Sequence, residues 1–258
     1  MTSEVPPDAE LRFITYHEIA EENSGDIYRV SRVQLKSHLI MLRGLNLGYA
    51  GHRVTFDDGH ISNYDFALPL MEELGFRAIF FITTSWIGAE NRLSEAQVRE
   101  LLKMGHQIGS HSCTHAFLNE CSDQKLHEEL LTSRKRLEDV LGCSIRTISI
   151  PYGRWDRRVL RACMTAGYSK VFTSDPWLPA SAREGVDVLG RLTIRNSVDV
   201  NQLRHFLTAR GLVKARLQMP FKMKQALRAC VGDRMYHRIW HVFANREETS
   251  RTPSYGVR

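Results

Sequence analysis

The sequence predicts an α/β fold, a closed or nearly closed β/α barrel, followed by a basic helical extension. Three observations lead there. Short apolar runs alternate with longer helical patterns about seven times. Strands that alternate with helices must pair in parallel, because a parallel neighbour requires a crossover. Neither a G-x-G-x-x-G fingerprint after the first strand nor a Walker sequence is present, so an open nucleotide-binding sheet has no motif behind it.

The strand candidates are rich in β-branched and aromatic residues: Leu11–Tyr16, Arg53–Phe56, Ala78–Thr83, Gln107–Ser110, Arg146–Ile150, Lys170–Ser174 and Val188–Ile194. Between them lie helix candidates at Ser31–Leu45, Asn63–Leu74, Ser94–Met104, Asp123–Leu141 and Asp156–Ala166. Polar residues open several of these segments and Gly75, Gly105, Gly142 and Gly167 close them, as helix caps require.

At 258 residues the chain suits one large domain with an appendage. Its hydrophobic content of 43% is enough for a sizeable core. No apolar run approaches the roughly 18–20 residues that cross a bilayer. The opening MTSEVPPDAE lacks a basic stretch followed by an apolar one, so no secretory signal is expected. Five cysteines (Cys113, Cys121, Cys143, Cys163, Cys230) without a C-x-x-C pair fit a reduced interior better than a disulfide framework. Both features point to a cytoplasmic protein, either free or peripheral at the inner membrane surface.

A boundary is expected near Gly211, giving a barrel over residues 1–210 and an extension over 211–258. The extension holds ten Lys/Arg against three Asp/Glu, so the formal +6 of the chain resides there. Two amphipathic helices are expected, Leu212–Val231 and Asp233–Asn245, ahead of a polar, disordered end. Such basic helices can pack an apolar stripe on the barrel or lie on an anionic membrane surface. Charge alone does not make a nucleic-acid site, and no such partner is expected.

Functional groups of a β/α barrel sit at the C-terminal ends of its strands. Four such ends are distinctive here: His17; Asp57 and Asp58 in TFDDG; His111 and His115 in SHSCTH; and IPYG at 150–153. Taken singly, each has a plain structural explanation, Asp-Asp-Gly being first of all a turn. Taken together they complete one site. Two imidazoles four residues apart on a helical turn can grip one cation, and an Asp carboxylate makes a facial His₂Asp set. Adjacent strand residues face opposite ways, so the loop must swing one Asp in. Cys113, between the two histidines, should point away and pack.

These motifs resemble those of the polysaccharide deacetylases with a NodB homology domain, over roughly residues 11–210. TFDDG is similar to their first motif, HSCTH to the second (H-[ST]-x-x-H) and PYG to the end of the third. The resemblance implies a distorted barrel of about seven strands. It makes Asp57 the catalytic base and Asp58, His111 and His115 the ligands of one divalent metal, usually zinc. The backbone N–H of Tyr152 would stabilise the oxyanion, with Pro151 lining the substrate. The substrate implied is an N-acetylated amino-sugar polymer or its precursor.

The chain departs from the family pattern twice. Ser149 stands where the third motif carries an Arg that pairs with the base, and Arg191 is the candidate substitute. The final Leu-x-His motif is absent. The exopolysaccharide (poly-N-acetylglucosamine) deacetylase branch instead places a His after the first strand, which makes Tyr16-His17 similar and His17 the candidate acid. Trp177 and Trp86 are candidates for a wall against the acetyl group or sugar face, or for ordinary packing. A deformylase or other amidohydrolase of the same class remains an alternative, as does an inactive carbohydrate-binding barrel. A His₂-carboxylate set also accepts cobalt, nickel or manganese.

Overall fold

The seven apolar runs form the seven staves of a closed barrel in the computed structural model, which describes residues 13–22, 25–45, 53–209 and scattered helical positions between 213 and 226. In chain order the strands are β1 (Phe13–Tyr16), β2 (Glu18–Ala20), β3 (Arg29–Ser31), β4 (Val54–Phe56), β5 (Ala78–Ile82), β6 (Gln107–Ser110), β7 (Thr147–Ser149), β8 (Lys170–Thr173), β9 (Ser181–Arg183) and β10 (Val186–Thr193). The helices are α1 (Arg32–Gly44), α2 (Leu68–Leu74), α3 (Glu95–Lys103), α4 (Asp123–Leu141), α5 (Arg157–Thr165) and α6 (Val200–Thr208). The ring runs β1-β4-β5-β6-β7-β8-β10, every pair parallel, and β10 pairs back onto β1 through Phe13 and Arg191. Outside the ring, β9 runs antiparallel beside the start of β10, and β2 pairs with β3 just beyond β1.

Caps lie where the sequence places them. The side chains of Ser31, Ser94, Ser122 and Asp156 each accept an amide of the first turn of α1, α3, α4 and α5. Gly75 and Gly142 end α2 and α4 with φ of 72° and 68°, a left-handed turn that glycine adopts without a Cβ clash. The helix expected over Asn63–Leu74 differs: it opens as a wide π-helical turn, Asn63–Ala67, before α2. Pro69 supplies the reason, since it has no N–H to donate back to the preceding turn.

Alternation along the staves divides two kinds of interior. Phe13, Ile79, Phe81 and Phe172 fill the lumen as one aromatic cluster, with Phe13 and Phe172 edge to face at 5.0 Å. Toward the C-terminal ends the lumen turns polar, with Thr15, Thr55, Ser149 and Arg191 all fully buried. On the opposite side of the sheet, Tyr16 stacks on Phe56, and Phe56 on Phe80. The aromatic floor therefore carries a polar layer directly beneath the mouth.

The chain divides into two compact units, residues 1–204 and 205–258. Beyond 210, the residues 213, 215–219, 222, 223 and 226 are helical; the second expected tail helix and the polar end lie outside the described residues. No helix among the described residues is long and apolar enough to cross a membrane.

Gly109 of β6 sets how closely Phe81 approaches the strand that delivers His111. A Cβ at Gly109 would stand 2.5 Å from the Phe81 ring and 2.9 Å from the Thr147 hydroxyl. Gly109→Ala is expected to lower stability by about 1–3 kcal/mol through overpacking. Denaturant unfolding checks this; an unchanged midpoint would show that the ring is free to move aside.

Candidate functional site

Asp58, His111 and His115 meet at the mouth of the barrel. Asp58 Oδ1 lies 3.4 Å from His111 Nε2 and 3.4 Å from His115 Nε2. Local backbone makes this convergence. Asp57 continues β4, its amide donating to the Tyr16 carbonyl, and Asp58 then turns to φ 73°, which brings the second carboxylate to the same face as the first. That turn is the swing that strand alternation demands.

The histidines do not sit on a helical turn, as their spacing led us to expect. Residues 111–115 form an irregular loop after β6, with Ser112 at φ 64° and His115 at φ 61°. The i, i+4 spacing is fulfilled by two left-handed residues rather than by one turn of helix. The Ser112 hydroxyl accepts the His115 amide and the Ser110 hydroxyl accepts the Ser112 amide, holding the bend.

The three donor atoms fit a single cation. Two ligands of one tetrahedral ion at about 2.0–2.1 Å stand roughly 3.3–3.4 Å apart. The three ligand atoms all lie within 4.8 Å of one another. Asp58 Oδ1 is buried and makes no aligned hydrogen bond. His111 Nδ1 lies 2.8 Å from the Ser149 carbonyl, so its proton belongs there and Nε2 keeps a lone pair for a metal. Burial, aided by neighbouring His111, pushes His115 down to about 4, leaving the neutral form that ligates. For Asp58, burial opposes ionisation, but the close His111 and the other surrounding imidazoles hold the carboxyl well below its usual range. For His111, burial favours the neutral ring, but Asp57, Asp58 and the Ser149 carbonyl together outweigh it, so the pKa is raised.

Asp57 sits behind this triad and is bound bidentately by Arg191. The Nη1–Oδ1 and Nη2–Oδ2 distances are both 2.7 Å, and both side chains are buried. Arg191 also donates to the hydroxyls of Ser149 (2.6 Å), Thr55 (3.0 Å) and Thr15 (3.3 Å), and through Nε to the Thr173 carbonyl. Its guanidinium lies over the rings of Phe81 and Phe172, at 5.2 and 5.8 Å. Ser149 does not leave a gap where the family's arginine would stand. Its hydroxyl accepts from Arg191 and donates to Asp57 Oδ2 at 3.2 Å. Burial opposes the charge on Asp57, yet Arg191 and then His111 bring its pKa to about 2.

The remaining sequence candidates occupy the rim unequally. The Trp86 ring packs 5.3 Å from His115 and the Tyr152 ring 4.6 Å from it, on the turns after β5 and β7. Tyr152 has φ 59°, follows buried Pro151 and stacks on Phe117 at 3.9 Å. His17 is half-buried against Tyr28, and its charge reaches Asp57, Asp58 and His115. Its Nδ1 is buried and makes no aligned hydrogen bond among the described residues. Trp177 lies in the turn after β8, its amide donating to Asp175. Cys113 lies within the loop of the histidines but outside the metal-ligating triad.

Sequence reading missed four contributors. Thr15 and Thr55 were readable, since each lies two residues before a site residue on a strand. Phe117 carries no local signal. Arg92, whose guanidinium covers Trp86 at 4.1 Å and reaches the Asp58 carbonyl at 3.4 Å, is recognisable only in three dimensions.

Comparison with known proteins finds the same fold and a matching family model. The polysaccharide deacetylase family model matches residues 52–171. YxkH of Bacillus subtilis, a polysaccharide deacetylase by name, is 28% identical over 72% of this chain and 72% of its own length. A chitooligosaccharide deacetylase of Bradyrhizobium is 30% identical over 52% of this chain, which spans 60% of that relative. The solved structure of IcaB from Ammonifex degensii shares the fold with a TM-score of 0.66, at 23% identity, over 78% of this chain and 97% of its own. Over residues 52–171 the chain is similar to the polysaccharide deacetylases of the NodB type.

Removing Arg191 leaves the Asp57 carboxylate buried and uncompensated. Arg191→Gln is expected to cost roughly 3–5 kcal/mol in chemical unfolding. It should also raise the pKa of Asp57 from about 2 toward its ordinary value or above. Any acid limb set by Asp57 then moves to higher pH in the variant. A folded variant with wild-type stability and an unchanged pH profile would contradict the assignment.

Proposed function

We propose that the protein is a metal-dependent hydrolase that removes N-acetyl groups from amino sugars of a polysaccharide or its precursor. One observation carries this reading. A carboxylate held ionised by a buried arginine stands directly beside a carboxylate and two imidazoles spaced for one cation. A pure binding module needs no such base. The Bradyrhizobium relative, named for chitooligosaccharide, supports the substrate class.

Asp58 Oδ1, His111 Nε2 and His115 Nε2 would hold the ion, which we take to be zinc. When bound, a divalent cation supplies Lewis acidity and lowers the pKa of a water from about 15.7 toward about 7. Asp57 accepts the proton of the attacking water, and Arg191 and Ser149 fix the carboxylate's orientation. Arg191 guarantees the ionised form at any working pH, at the expense of basicity. The Tyr152 amide donates to the acetyl oxygen as negative charge develops there. His17 gives its proton to the departing amine, an imidazole being able to donate near neutrality. Trp86 and Tyr152 flank His115 and form aromatic walls for the sugar and acetyl group.

The test is chelator-stripped protein assayed for acetate release from N-acetylglucosamine oligomers, before and after zinc. Activity should return only with the ion, and Asp58→Ala should abolish both uptake and release. His17→Ala is expected to lower kcat by about 10²–10⁴-fold, the range of a general acid. Sugar binding without acetate release would favour an inactive barrel, and release of formate from N-formyl sugars alone would favour a deformylase.

A further inference from the structure

The loop that presents the two histidines costs energy to hold. Ser112 and His115 both sit at positive φ, a region that lacks ready access for residues with a Cβ. Something outside the loop must over-determine this conformation. The side chain that faces it is Glu129, on the second turn of α4, fully buried beneath the loop.

Glu129 Oε2 accepts the amides of Cys113 (2.9 Å) and Thr114 (2.8 Å), the two residues between the strained positions. Its Oε1 accepts the Thr114 hydroxyl at 2.6 Å and pairs with Lys125, one turn earlier, at 3.1 Å. Ser133, one turn later on the same helix face, accepts from the Ser110 hydroxyl, which in turn accepts the Ser112 amide. The buried face of α4 otherwise comprises Leu126, Leu130, Leu137 and Val140. A carboxylate and a hydroxyl inside that apolar stripe would be unfavourable without these partners.

We propose that Glu129 is a positioning residue that shapes the loop of His111 and His115 for metal capture, touching neither the ion nor the substrate. This rests on the metal-centre reading above. Second-shell partners of this kind typically alter metal affinity by about 10–100-fold.

The experiment is a calorimetric zinc titration of the full-length, chelator-stripped protein and its variants. Glu129→Ala should weaken zinc binding by about tenfold or more with all three ligands in place. Thr114→Val, which removes only the 2.6 Å hydroxyl contact, should weaken it less and provides a milder variant should the first fail to fold. Glu129→Gln keeps one acceptor oxygen and should recover part of the loss. Leu160→Ala, on the buried face of α5, should lower stability and leave zinc affinity unchanged.

Folded Glu129 variants with wild-type zinc affinity would overturn the proposal, as would an equal loss in Leu160→Ala. A wild-type protein that binds no divalent ion would instead contradict the metal centre itself, and this proposal with it.

Discussion

A single buried ion pair governs the mouth of this barrel. Arg191 is a guanidinium without solvent access, standing on an aromatic floor, and such a charge survives only if its donors are satisfied. Asp57 provides the countercharge, and Ser149, Thr55, Thr15 and the Thr173 carbonyl take the remaining hydrogens. Those partners come from four strands, β1, β4, β7 and β8, besides the arginine's own β10. The pair therefore ties the reactive carboxylate to the closure of the barrel, and the polar layer of the lumen exists to receive it.

From that anchor the metal triad follows by short steps. Asp58 is one residue beyond Asp57 and needs only its left-handed turn to face the same way. His111 is fixed by the carbonyl of Ser149, the residue whose hydroxyl bridges Arg191 and Asp57. Asp57 and His111 thus share one hydrogen-bonded frame, so a shift in the ion pair is felt at His111. His115 is held from a different direction, between the rings of Trp86 and Tyr152. The rigid half of the site belongs to strands and the adaptable half to loops, the usual division between chemistry and recognition.

Much of this was legible in the sequence, and for identifiable reasons. Strand-forming runs of four to seven residues between capped helices predict the ring directly; six staves fall within those runs, and β10 starts two residues before its own. The carboxylates and imidazoles were legible because they sit in compact motifs at strand ends. The geometry of the histidine loop was not: i, i+4 spacing suits a helix, and the contacts of Ser110, Ser112 and Glu129 hold the left-handed bend instead. Glu129 and Phe117 act across 16 and 35 residues of chain respectively, onto Cys113 and Tyr152, and no local pattern announces such pairs. The three-residue strands β2, β3 and β9 are too short to produce a periodic signal.

The account turns on one ion shared by three side chains. Its most direct test is a crystal structure of zinc-loaded protein with anomalous data on both sides of the zinc edge. A single strong peak is expected about 2.0–2.2 Å from Asp58 Oδ1, His111 Nε2 and His115 Nε2 together. No peak at that point, or zinc bound by other residues while this triad stays apart, would contradict it.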